Sequence, residues 1–88
     1  MQKMTLGVDV ASRAAHQASL ADEKGHFVWS ARRFRTTTKD LEALWSSLPD
    51  DIELTVVMEP TRNAWVPLAA WFKRRGASVI VIPSGAVR

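Results

Sequence analysis

Two apolar runs flanking one amphipathic stretch constrain this chain more than any other feature. Residues 52–58 alternate, with Leu54, Val56 and Met58 on one face and Glu53, Thr55, Val57 and Glu59 on the other. That two-residue period belongs to a half-buried strand. Residues 78–82 are apolar nearly throughout and stop at Pro83, the pattern of a strand buried on both faces. Between them Trp65, Leu68, Ala69 and Phe72 recur at i, i+3, i+4 and i+7, one stripe of a helix. Strand, helix and strand in succession close as a right-handed crossover, so the two strands run parallel. Residues 60–63 break the first strand and are placed to cap the helix, and Pro67 must lie in its first turn. Lys73, Arg74 and Arg75 suit the helix's C-terminal dipole, and Gly76 is the expected left-handed stop.

The preceding half reads as a meander and a helix. Leu6, Val8 and Val10 alternate with Thr5, Gly7 and Asp9, which predicts a strand over 5–10. Residues 14–21 put Ala14, His16, Ala18 and Leu20 on one face of a second strand. A turn at 22–25 ends in glycine, and 26–34 is a third strand rich in Phe, Val and Trp. Thr37 with Asp40 resembles a capping box, and Leu41, Leu44, Trp45 and Leu48 form a second helical stripe. The order is β-β-β-α-β-α-β, an α/β chain with a five-stranded mixed sheet. The expected sheet order is 3-2-1-4-5, with the first strand central and parallel to the fourth.

At 88 residues the chain is a single domain, 1–88. Hydrophobic residues at 47% against 24% charged exclude a disordered tail. Cysteine is absent, which removes disulfides, thiolate metal sites and a thiol nucleophile. No apolar run approaches the ~20 residues of a membrane helix and no signal peptide is visible, so the expectation is a cytoplasmic protein without membrane contact. The net charge of +3 leans only weakly toward an anionic partner, and a solvated surface is the plainer account of it.

The informative placement is that of Asp9 and Glu59. Each ends a predicted strand and points away from that strand's apolar face. If the strands are parallel neighbours, about 4.8 Å apart, both carboxylates reach the same face and the same edge. In open α/β sheets ligands bind outside the carboxyl ends of strands. Two carboxylates held that close repel unless a cation lies between them or one keeps a proton. Mg²⁺ suits such a pair, because it needs few protein oxygens and leaves room for water and phosphate. Solvated acids at strand ends are the plainer alternative. Arg13 follows Asp9 and Arg62 follows Glu59, so both could border the site and bind phosphate; exposed loop arginines are the alternative. His16 could face the Asp9 edge, although a strand-surface histidine without a role is the plainer reading. Arg32, Arg33 and Arg35 read as a separate basic cluster, and the tryptophans as packing residues. No Walker or dinucleotide-binding glycine loop and no nucleophile elbow is present.

Gly7-Val8-Asp9-Val10 opening a hairpin, followed by Met58-Glu59-Pro60-Thr61, Trp65 and Leu68-Ala69-Ala70-Trp71, resembles the N-terminal part of insertion sequence 110 family transposases. The resemblance covers nearly the whole chain. It implies a ribonuclease H-like domain related to the RuvC resolvases, with four acids in the order Asp, Glu, Asp, Asp. Asp9 matches the first acid and Glu59 the second. It further implies Mg²⁺ (or Mn²⁺ in its place) at Asp9 and Glu59, cleavage and transfer of DNA strands, and a guide RNA as a second partner. Thr61-Arg62-Asn63-Ala64-Trp65 stands where the family commonly has Thr-Gly-His-Tyr-Trp. Family members are several times longer, and their last two acids lie beyond the strand that ends near Ile82. The chain therefore reads as an N-terminal fragment, incomplete at the C-terminus and inactive alone, with an exposed sheet face that invites a homo-oligomer. Two other classes compete. An actin-like or sugar-kinase lobe also opens with Gly-x-Asp, but Ala11-Ser12-Arg13 supplies no phosphate-binding glycine. A non-catalytic nucleic-acid-binding or dimerisation module would bind DNA without metal.

Overall fold

The computed structural model describes residues 1–59 and 62–82. Its elements are β1 (Gln2–Asp9), β2 (His16–Ala21), β3 (Phe27–Phe34), α1 (Thr38–Ser46), β4 (Ile52–Met58), α2 (Trp65–Arg74) and β5 (Ser78–Val81). The five strands form one sheet in the order β3-β2-β1-β4-β5, as the sequence pattern predicts. β1 runs antiparallel to β2 and parallel to β4, in register from Gln2 opposite Ile52 to Val8 opposite Met58. β5 is parallel to β4, which closes the crossover through α2.

The core is one-sided. Met4, Leu6, Val8 and Val10 from β1 and its end, Ala18 and Leu20 from β2, and Leu54, Val56 and Met58 from β4 are all buried. They pack against Leu41 and Leu44 of α1 and Leu68, Ala69 and Phe72 of α2. Both helices therefore cover the same sheet face. Thr5, Gly7 and Asp9, with Gln17, Ser19, Thr55 and Val57, occupy the other. β5 departs from the expected burial on both faces. Ile80 is 50% exposed, and only Val79 and Val81 pack against the core. The reason is its place at the sheet edge, where α2 covers one face only.

Local sequence sets the helix ends. The Thr37 hydroxyl accepts from the Asp40 amide, and the Asp40 carboxylate accepts from the Arg35 amide rather than from that of Thr37. The capping box is thus extended backward into the end of β3. Of the segment 60–63 expected to cap α2, residues 60 and 61 lie outside the described residues. The cap is Ala64, and the Asn63 carbonyl accepts from the Val66 amide. Pro67, third in the helix, spares an N–H that the first turn leaves unpaired. The other end is a Schellman motif. The Ala77 amide reaches the Phe72 carbonyl, the Gly76 amide reaches that of Lys73, and Gly76 has φ +94°.

Packing also absorbs the aromatic residues. Trp45 and Trp71 meet edge to face at 5.7 Å, and the Arg75 guanidinium lies over Trp71 while pairing with Glu42. Trp29 lies under Arg32 at 4.4 Å.

His16 begins β2 but falls on the core face, opposite Asp9, and is only 4% exposed. This overturns its expected approach to the Asp9 edge, because strand alternation groups it with Ala18 and Leu20. Its ring ties two loops together. Nδ1 accepts from the Ala11 amide at 3.0 Å, which leaves Nε2 to carry the proton and donate to the Thr36 hydroxyl at 2.8 Å. Burial holds its pKa below the ordinary imidazole value of about 6.5. Protonation is then easier in the unfolded chain, so stability is full above about pH 6.5 and falls as pH drops below it. Urea unfolding between pH 7.5 and 5 should show that fall, and His16→Gln should remove the part due to His16; an undiminished fall in the variant would assign it elsewhere. Phe72→Ala, which empties the joint between α2 and the sheet, should cost about 3–5 kcal/mol by the same measurement. A loss under about 1 kcal/mol would show that the core does not depend on this residue.

Candidate functional site

The parallel pairing of β1 with β4 determines where the acids lie. Alternation puts Asp9 on the helix-free face with Gly7, and Glu59 on that face with Thr55 and Val57. The last registered pair is Val8 with Met58, so Asp9 and Glu59 leave their strands side by side. Both line one groove of about 610 Å³ on the open face, at the carboxyl ends of β1 and β4. Gly7, Gln17, Ser19, Val57, Phe27 and Ile82 line it as well.

The groove owes its depth beside Asp9 to Gly7. A Cβ built there would meet only the Ser19 carbonyl, at 4.0 Å. The backbone therefore does not require glycine, but any larger side chain would stand in the groove. Gln17, Ser19 and Gly7 were legible from alternation as companions of Asp9's face. Phe27 and Ile82 were not, because β-bulges in β3 and the sheet edge decide their positions.

Asp9 and Glu59 are both exposed, and among the described residues neither carboxylate has a hydrogen-bond or salt-bridge partner. Two such carboxylates, with all their lone pairs free, form a hard-oxygen donor set. No group of three or more His, Asp or Glu close enough to hold a metal occurs among the described residues. Two carboxylates are a donor set for a divalent cation that takes few protein oxygens and keeps several waters.

The arginines expected to border the acids are not in the groove. Arg13 lines a separate hollow of about 270 Å³ with Ser12, His16, Arg35, Thr36 and Pro67, on the helix-covered side. Arg62 is exposed in the turn leading to α2, with φ +53°, and lines neither hollow. Arg35, read from sequence as part of a distant cluster, instead joins Arg13. The His16 bridge between Ala11 and Thr36 brings their two loops together. The far end of the sheet holds another hollow, about 650 Å³, between Trp45, Leu48, Ile52 and Ala77, remote from the acids.

No helix among the described residues is long and apolar enough to cross a membrane. No curated protein and no solved structure matches the chain. A family model described as a transposase, of the DEDD type of insertion sequence 110, matches residues 6–88. The match runs from within β1 through β5 and so includes both acids and the groove between them. It makes DNA the implied partner and a divalent cation the family's general requirement. With nearly every residue covered, the chain belongs to the insertion sequence 110 family of DEDD transposases.

Proposed function

We propose that the chain supplies the first half of a ribonuclease H-like, RuvC-related catalytic domain, spanning 1–88, which cleaves and transfers DNA strands. Asp9 and Glu59 are the first two acids of the DEDD set. The observation that carries this reading is their side-by-side exit from β1 and β4 into one groove, with no protein partner for either carboxylate among the described residues.

In this reading Asp9 and Glu59 hold Mg²⁺, with Mn²⁺ as a substitute. Held there, a divalent cation would supply Lewis-acid stabilisation of charge on a phosphodiester oxygen. The chain's own residues do the rest. The two carboxylates orient the site toward the open face, and the parallel ladder beneath them keeps their spacing from relaxing under mutual repulsion. Gly7 leaves room for a phosphate beside Asp9. Arg13 and Arg62 contact the DNA backbone outside the groove, Arg13 jointly with Arg35. Partners in a homo-oligomer are supported by the uncovered sheet face, where Ile80 and Phe27 are exposed. A guide RNA rests on the family resemblance, and a cytoplasmic location rests on the DNA substrate.

The test is thermal unfolding with and without Mg²⁺. Binding at about ten times the dissociation constant adds about 1.4 kcal/mol, roughly 6–11 °C in Tm for a domain of this size. Asp9→Asn and Glu59→Gln should each start at or above the parent's Tm without metal, because the like-charge contact is gone. Each should also lose the Mg²⁺ gain. An equal gain in all three proteins would contradict the assignment.

A further inference from the structure

The sheet register places a fourth side chain in line with the acids. Asp9 stands opposite Gln17 on β2, and Gln17 stands opposite Arg33 on β3. With Glu59 beside Asp9, the helix-free face carries one cross-strand row at the end of β1: Glu59, Asp9, Gln17, Arg33. The row runs from two negative charges through a neutral amide to a positive one. Arg33 is exposed and makes no ion pair among the described residues. Its neighbour Arg32 is likewise exposed, without an ion pair among the described residues, and shares with Arg33 a hollow beside Asp40, Ala43 and Leu44 of α1; it differs in register, pairing with Ala18 of the core face, and in lying over Trp29.

We propose that Arg33 is a DNA-backbone contact of the acid groove, and that the Glu59–Asp9–Gln17–Arg33 row is the track along which a DNA strand lies across the sheet. The inference rests on the DNA reading of the same groove. Two strand spacings put Arg33 about 10 Å from Asp9. At a rise of about 3.4 Å per nucleotide along one strand, that is roughly three nucleotides from the phosphate beside the acids. A polyanion entering a doubly acidic groove needs an anchor nearby that does not neutralise the acids themselves. A guanidinium at this distance binds a phosphate bidentately and leaves Asp9 and Glu59 free. Gln17, between them, offers both a donor and an acceptor to the intervening sugar-phosphate chain. The Arg13–Arg35 hollow cannot serve the same stretch, because it opens on the other face of the sheet.

The experiment is fluorescence anisotropy of the 88-residue chain with a short fluorescein-labelled DNA duplex, at salt concentrations between about 50 and 200 mM. Arg33→Ala should weaken binding about three- to fivefold and reduce the slope of log affinity against log salt by about one. Arg33→Lys should keep the parent's salt slope, since the charge remains. Arg32→Ala should leave affinity and slope unchanged. Parent-like affinity and slope in Arg33→Ala, or an equal loss in Arg32→Ala, would overturn the assignment while leaving the metal reading of Asp9 and Glu59 intact. Absence of duplex binding by the parent would overturn the track and the DNA reading together.

Discussion

The parallel pairing of β1 with β4 is the contact on which the rest of the structure depends. Its register, Gln2 with Ile52 through Val8 with Met58, brings together segments some fifty residues apart in the chain. One consequence is structural: Leu6, Val8, Val56 and Met58 form a single buried surface that both helices can cover. The other is chemical. Because side chains alternate, a ladder that buries Val8 and Met58 must send Asp9 and Glu59 out on the opposite face at the same edge. A register slip of one residue would separate the acids and expose the core at once. The apolar core thus enforces a juxtaposition that electrostatics alone would oppose.

The two faces of the sheet divide the work. The helix-covered face carries the stabilising contacts. There Phe72 and Leu68 fill the space over the central strands, the Schellman turn at Gly76 ends α2, and the neutral His16 ring pins Ala11 to Thr36. The other face carries charge, small residues and the groove. The groove floor is open at Gly7, its acids are unpartnered among the described residues, and its third and fourth cross-strand positions are an amide and a guanidinium. A polar, concave strip on a rigid sheet suits a chemistry in which the protein mainly positions phosphates.

Alternation and helical spacing were enough to read the element order, the sheet order and the shared edge of Asp9 and Glu59. These depend on local periods and on the handedness of crossovers. What they could not supply was which face each helix chooses and where an edge strand lies. Ile80 looked buried because its run is apolar throughout, but an edge strand under one helix buries only Val79 and Val81. His16 looked available to Asp9 although its own alternation, with Ala18 and Leu20, already put it on the core face. At the start of α2, Asn63 of the expected capping segment contributes its carbonyl, a detail that residue type does not specify. Arg33 and Arg35 looked like one cluster. The register opposite Gln17 sends Arg33 to the acid row, and the His16 bridge draws Arg35 toward Arg13.

The proposed function puts one cation between the ends of β1 and β4, on the helix-free face. Its most direct measurement is a Mn²⁺ titration of ¹⁵N-labelled protein, following paramagnetic broadening of the amide signals, with Asp9→Ala as control. A shared cation gives broadening centred on Asp9 and Glu59, reaching Gly7 and Gln17, weaker around the Arg13–Arg35 hollow, and lost in the variant. Diffuse broadening, or a pattern that survives the loss of Asp9, would contradict it.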